Sequence, residues 1–110
     1  MHHPRQEKEV DVQRAILEWL EWKHIFHYRN NSGAFVFPET ATHKRRFFKA
    51  GVVGAPDIVC VVKGQYVGIE CKASKGRQSE NQKEFQRQLE AAGGRYVLAY
   101  SVDDVSAALD

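Results

Sequence analysis

The patterning of the chain predicts an α/β fold, one mixed sheet with helices packed against it. Three observations carry that expectation. An apolar stripe at helical spacing precedes two β-prone runs separated by only three residues, and a second helical stretch leads into a further β-prone run. The 110 residues are one domain's length. Residues 1–110 are therefore expected to form a single domain.

Residues 7 to 23, EKEVDVQRAILEWLEWK, place Val12, Ile16, Trp19 and Leu20 at helical intervals. Glu9, Gln13, Ile16 and Leu20 occupy neighbouring positions of one face, so Glu9 prolongs the core stripe at its N-terminal end. Residues 24 to 37 hold two short β-prone pieces, HIFHYR and AFVF, with a turn at Asn31, Ser32 and Gly33 and a stop at Pro38. Residues 43 to 51, HKRRFFKAG, carry Lys44, Arg45, Arg46 and Lys49 without an acid and read as a loop or short irregular segment. DIVCVV at 57–62 and YVGIECK at 66–72 are strands on either side of Lys63-Gly64-Gln65, which marks a hairpin. After the polar loop 74–78, SENQKEFQRQLEAAGG reads as a helix. Ser79 and Gln82 have capping-box spacing, Gln82, Phe85, Leu89 and Ala92 share a face, and Gly93 supplies the stop. RYVLAY at 95–100 is a last strand, and 101–110 a short capped helix.

Composition narrows the function classes. Apolar residues at 43% allow a core, and a net charge of +2 does not by itself mark a nucleic-acid binder. No apolar run approaches the roughly 18 residues of a membrane span, so no membrane partner is expected. The stretch from Met1 to Val10 lacks the apolar core of a signal peptide. Cys60 and Cys71 are too few for a disulfide scaffold or a cysteine-built zinc site and read as buried small apolar residues. A reduced, cytoplasmic setting follows as the expectation. His2 and His3 sit at a terminus, and His24, His27 and His43 lack a ligand spacing, so no zinc site is expected.

The central hairpin concentrates the chemistry. Glu70 and Lys72 are two apart on one strand and project from the same face, with Cys71 on the other. A two-residue turn at Lys63-Gly64 sets Asp57 opposite Glu70; a turn at Gly64-Gln65 sets it opposite Lys72. Either register gathers Asp57, Glu70 and Lys72 on one face. Charges on an open hairpin face are ordinarily just solvated. Here the surrounding strand residues are apolar, and Asp57 follows the tight Gly54-Ala55-Pro56 turn. Two adjacent carboxylates repel unless a proton or cation lies between them. Hard oxygen ligands in this number suit Mg²⁺ or Mn²⁺, and Lys72 can orient a water or stabilise developing negative charge. Such a set equips a site for phosphodiester hydrolysis.

Pro56-Asp57 followed by Glu70-Cys71-Lys72 resembles the PD-(D/E)xK nuclease superfamily, and more closely a stand-alone VRR-Nuc domain. Glu9 with Gln13, Arg29-Asn30-Asn31, Gly54-Ala55-Pro56-Asp57, Glu70-Cys71-Lys72 and Ser79-Glu80-Asn81-Gln82 occur in family order over roughly residues 7 to 103. The resemblance implies a restriction-endonuclease-like core, a mixed β-sheet flanked by helices. It implies that Asp57 and Glu70 ligate the metal, that the Cys71 carbonyl completes the shell, and that Lys72 assists the attacking water. It places Glu9 near the metal, directly or through water; the alternative is a first-turn acid complementing the helix dipole. It places Gln82 beside the catalytic residues; the alternative is a cap alone.

Lys44, Arg45, Arg46 and Lys49 are expected to contact DNA phosphates, with Lys75 and Arg77 as secondary candidates. Phe47 and Phe48 either stack on an unpaired base or, the favoured reading, belong to the core. No helix-turn-helix, zinc finger or long basic helix is legible, so structure-selective cleavage of branched DNA is expected over sequence-specific cleavage. Stand-alone members of the family resemble Holliday-junction resolvases, which makes a four-way junction the first substrate and a flap or nick the second. The rival class is a non-catalytic nucleic-acid-binding module of the same fold. Trp19, Trp22, Phe26, Phe35, Phe37, Phe47 and Phe48 crowd the first half of the chain and favour a homodimer.

Overall fold

The first apolar stripe folds as α1 (Glu9–Trp22) in the computed structural model of the protein, which describes residues 8–30, 34–37, 39–42, 44, 46–49 and 52–110. Val12, Ile16 and Leu20 are buried, and Trp19 packs beside them. The Asp11 carboxylate accepts the Lys8 N–H at 3.2 Å, satisfying one amide at the helix start. The chain continues as β1 (His27–Arg29), β2 (Ala34–Phe37), β3 (Arg46–Lys49), β4 (Ile58–Val62), β5 (Gln65–Cys71), α2 (Glu80–Ala91), β6 (Arg95–Ala99) and α3 (Val102–Leu109).

Four strands form the main sheet in the order β1-β4-β5-β6. β1 with β4 and β4 with β5 are antiparallel, whereas β5 and β6 run parallel. A parallel pair needs a crossover connection, and α2 supplies it. Alternation then sorts the faces. Ile58, Cys60, Val67, Ile69, Cys71, Val97 and Ala99 join Val12, Ile16 and Leu20 of α1 and Val105 of α3 in one buried cluster. The opposite face receives α2: a Cβ on Gly68 would meet Pro56 Cγ at 2.7 Å and Leu89 Cδ2 at 3.5 Å. Both cysteines are buried and unbridged. No helix among the described residues is long and apolar enough to cross a membrane.

Three expectations are corrected. The basic segment is not a loop throughout, because Arg46–Lys49 forms β3 and pairs antiparallel with β2, Phe35 opposite Phe48 and Val36 opposite Phe47. Its aromatic pair satisfies a strand ladder despite the flanking cations, and this ladder stands apart, so the described residues hold two sheets rather than one. The last helix, expected to be capped, has no side-chain cap bond at its N-cap residue Ser101. Asp104 reaches back instead, accepting the Tyr100 N–H at 2.8 Å. The turn assigned to Asn31, Ser32 and Gly33 and the stop at Pro38 lie outside the described residues.

Candidate metal centre

The hairpin fixes the centre of the site. Lys63 and Gly64 both have positive φ, 51° and 79°, as a two-residue primed turn requires. Val62 therefore pairs with Gln65 and Ile58 with Ile69, and one further step brings Asp57 beside Glu70. Asp57 Oδ2 accepts the Cys71 N–H at 2.9 Å. Two bonds from β1's end hold its backbone: the Asn30 N–H donates to the Asp57 carbonyl at 2.8 Å, and the Asn30 amide donates to the Pro56 carbonyl at 3.1 Å. Gly54 (φ +79°) lets the preceding loop lie against α2, because any side chain there would collide with the Asn81 carbonyl.

Glu9, Asp57 and Glu70 each place a carboxylate oxygen within 4.8 Å of the others. Glu9 is exposed, Asp57 half-buried and Glu70 only 2% exposed. Glu70 Oε1 has no hydrogen-bond partner. Lys72 Nζ lies 3.8 Å from Glu70 Oε2, its own side chain 12% exposed. That single cation does not win. Burial, then the hydrogen bond and like charge of Asp57, with Glu9 adding, push the Glu70 carboxyl up to about 9 against the pull of Lys72. Burial pushes the Cys71 thiol up to about 12, with the charges of Asp57, Glu70 and Glu9 behind it. Burial and two neighbouring acids thus disfavour a charged Glu70, and Lys72 alone does not offset them. A set of hard carboxylate oxygens, one of them buried without a partner, fits Mg²⁺ or Mn²⁺.

The other expected residues divide. Gln82 Oε1 accepts the Ser79 N–H at 2.9 Å while its own N–H donates to Ser79 Oγ at 3.1 Å, so both halves of the capping box form. Those are the contacts of its cap; the three acids are gathered without it. Its turn nonetheless abuts the Gly54 loop. Lys44, Lys75 and Arg77 are exposed. Arg46 and Lys49 lie on β3, while Arg45 and His43 fall outside the described residues. The side chains of Phe35, Phe37, Phe47 and Phe48 fall outside them too.

Asn30, marked by the Arg29-Asn30-Asn31 motif but given no role from the sequence, belongs to the site through the two bonds it makes. Tyr96 is a second addition. It pairs with Gly68 on β5, on the face Glu70 shares, and its hydroxyl is buried. Burial pushes that hydroxyl up to about 12 against the pull of the Gln78 side chain, with the charges of Glu70 and Asp57 adding. A tyrosine in a strand reads as core, so nothing in the sequence set it apart. No protein-family model matches the chain, and a search of curated proteins finds no match either.

Proposed function

We propose that the protein is a Mg²⁺- or Mn²⁺-dependent endonuclease of the PD-(D/E)xK superfamily, of the stand-alone VRR-Nuc kind, acting on branched DNA as a Holliday-junction resolvase. One observation carries the reading: a buried, unpartnered Glu70 oxygen gathered with Asp57 and Glu9, with Lys72 Nζ beside the same carboxylate. The mixed sheet flanked by helices supports the restriction-endonuclease-like core.

Glu9, Asp57 and Glu70 would hold the cation, with the Cys71 carbonyl as a further ligand. When bound, a divalent cation compensates the carboxylates and polarises the scissile phosphate. Asp57 is preset for this by the Cys71 N–H and the two Asn30 bonds. Lys72 orients the attacking water and stabilises charge gathering on the phosphate. A bond forms from the water oxygen to phosphorus and the bond to a sugar oxygen breaks; the water's proton passes to solvent and the leaving oxygen takes one up. Exposed Lys44, Lys75 and Arg77, with Arg45, Arg46 and Lys49, supply phosphate contacts.

Single-turnover cleavage with Mn²⁺ on a four-way junction, a flap, a splayed arm and plain duplex tests the proposal. The junction is expected to be cut. Lys72→Ala should slow cleavage by about 10² to 10⁴ while sparing DNA affinity. A Lys72→Ala protein at wild-type rate overturns the assignment. Cutting confined to the flap moves the substrate, and binding without any cutting makes the protein a non-catalytic module.

A further inference from the structure

The loop after β5 crosses directly over the stem of Lys72. Its tight turn is closed by the Gly76 N–H donating to the Ala73 carbonyl at 2.8 Å. Gly76 is not among the positive-φ glycines Gly54, Gly64 and Gly93, so its backbone does not demand glycine. What it provides is room: a Cβ there would lie 3.1 Å from Lys72 Cβ, 3.2 Å from Lys72 Cδ and 3.2 Å from the Ala73 carbonyl oxygen. The flexible member of that crowd is the lysine stem. The turn is tied down from the other side as well, where the Tyr100 hydroxyl donates to the Gly76 carbonyl at 3.0 Å. Tyr100 is itself held by its N–H to Asp104 at the start of α3. The base of Lys72 is fixed by its N–H to the Ala99 carbonyl at 2.9 Å, so the side chain has one stretch left to vary, and Gly76 covers it.

We propose that Gly76 and Tyr100 are positioning residues for Lys72: the pinned turn, side-chain-free where it passes the lysine stem, leaves that stem the course that holds Nζ at the Glu70 carboxylate. The inference rests on the nuclease reading for its effect on turnover, and on geometry alone for its effect on the lysine. A displacement of about 1 Å in a catalytic group costs up to about a hundredfold in rate. Neither residue touches the metal-ligating oxygens, so the loss falls on turnover and not on Mn²⁺ or DNA binding.

The tests are Gly76→Ala, which crowds the stem, and Tyr100→Phe, which keeps the ring and frees the turn. Alanine at a φ it accepts ordinarily keeps or raises stability, so a merely structural role predicts unchanged cleavage. Expected instead is a rate loss of about tenfold or more in Gly76→Ala, with melting temperature, DNA affinity and the Mn²⁺-induced melting shift at wild-type values. Tyr100→Phe should show a smaller loss of the same kind. Acetic anhydride labelling read by mass spectrometry reports the lysine without turnover: Lys72 should react several-fold faster in both variants, and Lys63 on the hairpin turn equally in all three proteins. Wild-type Lys72 labelling and wild-type cleavage in Gly76→Ala overturn the inference. If the wild-type protein cuts none of the DNAs, the nuclease reading fails while the labelling alone decides the positioning.

Discussion

Glu70 is where folding and the proposed chemistry pull against each other. A buried carboxylate is costly to ionise, and Asp57 and Glu9 add like charge to it. The metal-free protein resolves this by favouring the protonated acid. A bound cation removes the conflict, and a ligand at 100 times its dissociation constant adds about 2.7 kcal/mol of stability. Melting temperature is therefore expected to rise with Mn²⁺ and return with chelator. Glu70→Gln should melt at or above wild type in chelator yet lose the Mn²⁺ rise; an equal rise in the variant would place the ion elsewhere. Cys60 gives a second residue-level prediction. Burial lifts its thiol from 9.0 to about 11. As pH rises the unfolded chain loses this proton first, so between 9 and 11 the folded state holds more protons and stability falls. The contribution is whole below 9, gone above 11, and on the order of 2 kcal/mol. Urea unfolding inside and below that window should show a shallower fall in Cys60→Ala. A residual fall from Cys71 and Tyr96, both pushed up to about 12, should remain. Identical pH slopes would show that another group titrates.

Among the elements, the helices and the hairpin obey local rules, and the basic segment does not. Ser79 and Gln82 form both bonds of the capping box because three residues of spacing suffice. Arg46–Lys49 becomes a strand because β2 lies alongside it, a neighbour its own composition cannot announce. Under the proposed function this basic segment contacts a phosphate backbone, an interaction whose strength falls with salt at about −0.9 log units per phosphate neutralised. Replacing Arg45 and Arg46 with glutamine should flatten the slope of log affinity against log salt by roughly one to two. An unchanged slope would make the segment a solvated edge.

Taken whole, the molecule leaves aromatic surface uncovered. Trp22 is 74% exposed, Phe26 67% and Tyr28 51%, although Trp19 packs against the core. These residues cluster around the end of α1 and the start of β1, the outer strand of the main sheet. Aromatics are favoured in protein interfaces, and a four-way junction presents two strands for symmetric cutting, which a two-fold dimer matches with two sites. Light scattering at micromolar concentration should report near twice 12.6 kDa, and Trp22→Ala with Phe26→Ala should shift the protein to monomer. A wild-type monomer that persists on junction DNA removes the resolvase reading and favours flap or nick cleavage.

Much of this site was legible before any coordinates. Alternation of period two puts Glu70 and Lys72 on one face, and a two-residue turn at Lys63-Gly64 leaves Asp57 opposite Glu70. These are counting properties of a single hairpin, which short-range geometry decides. The choice between the two possible turns needed the structure, because Gly64 fits either and only the pairing of Val62 with Gln65 selects one. Tertiary structure alone decided the rest. Glu9 reaches the acids only because α1 packs on the cluster that Ile69 and Cys71 share. Glu70 lies buried on the face where Leu89 of α2 and Pro56 close over its neighbour Gly68, a covering that only the packed fold supplies. Lys72 meets Gly76, and Gly76 meets Tyr100, only because β6 lies parallel beside β5 and returns the chain to that end of the sheet. Burial, an orphaned oxygen and displaced pKa values arise from the packing of elements distant in sequence, so no local pattern can encode them.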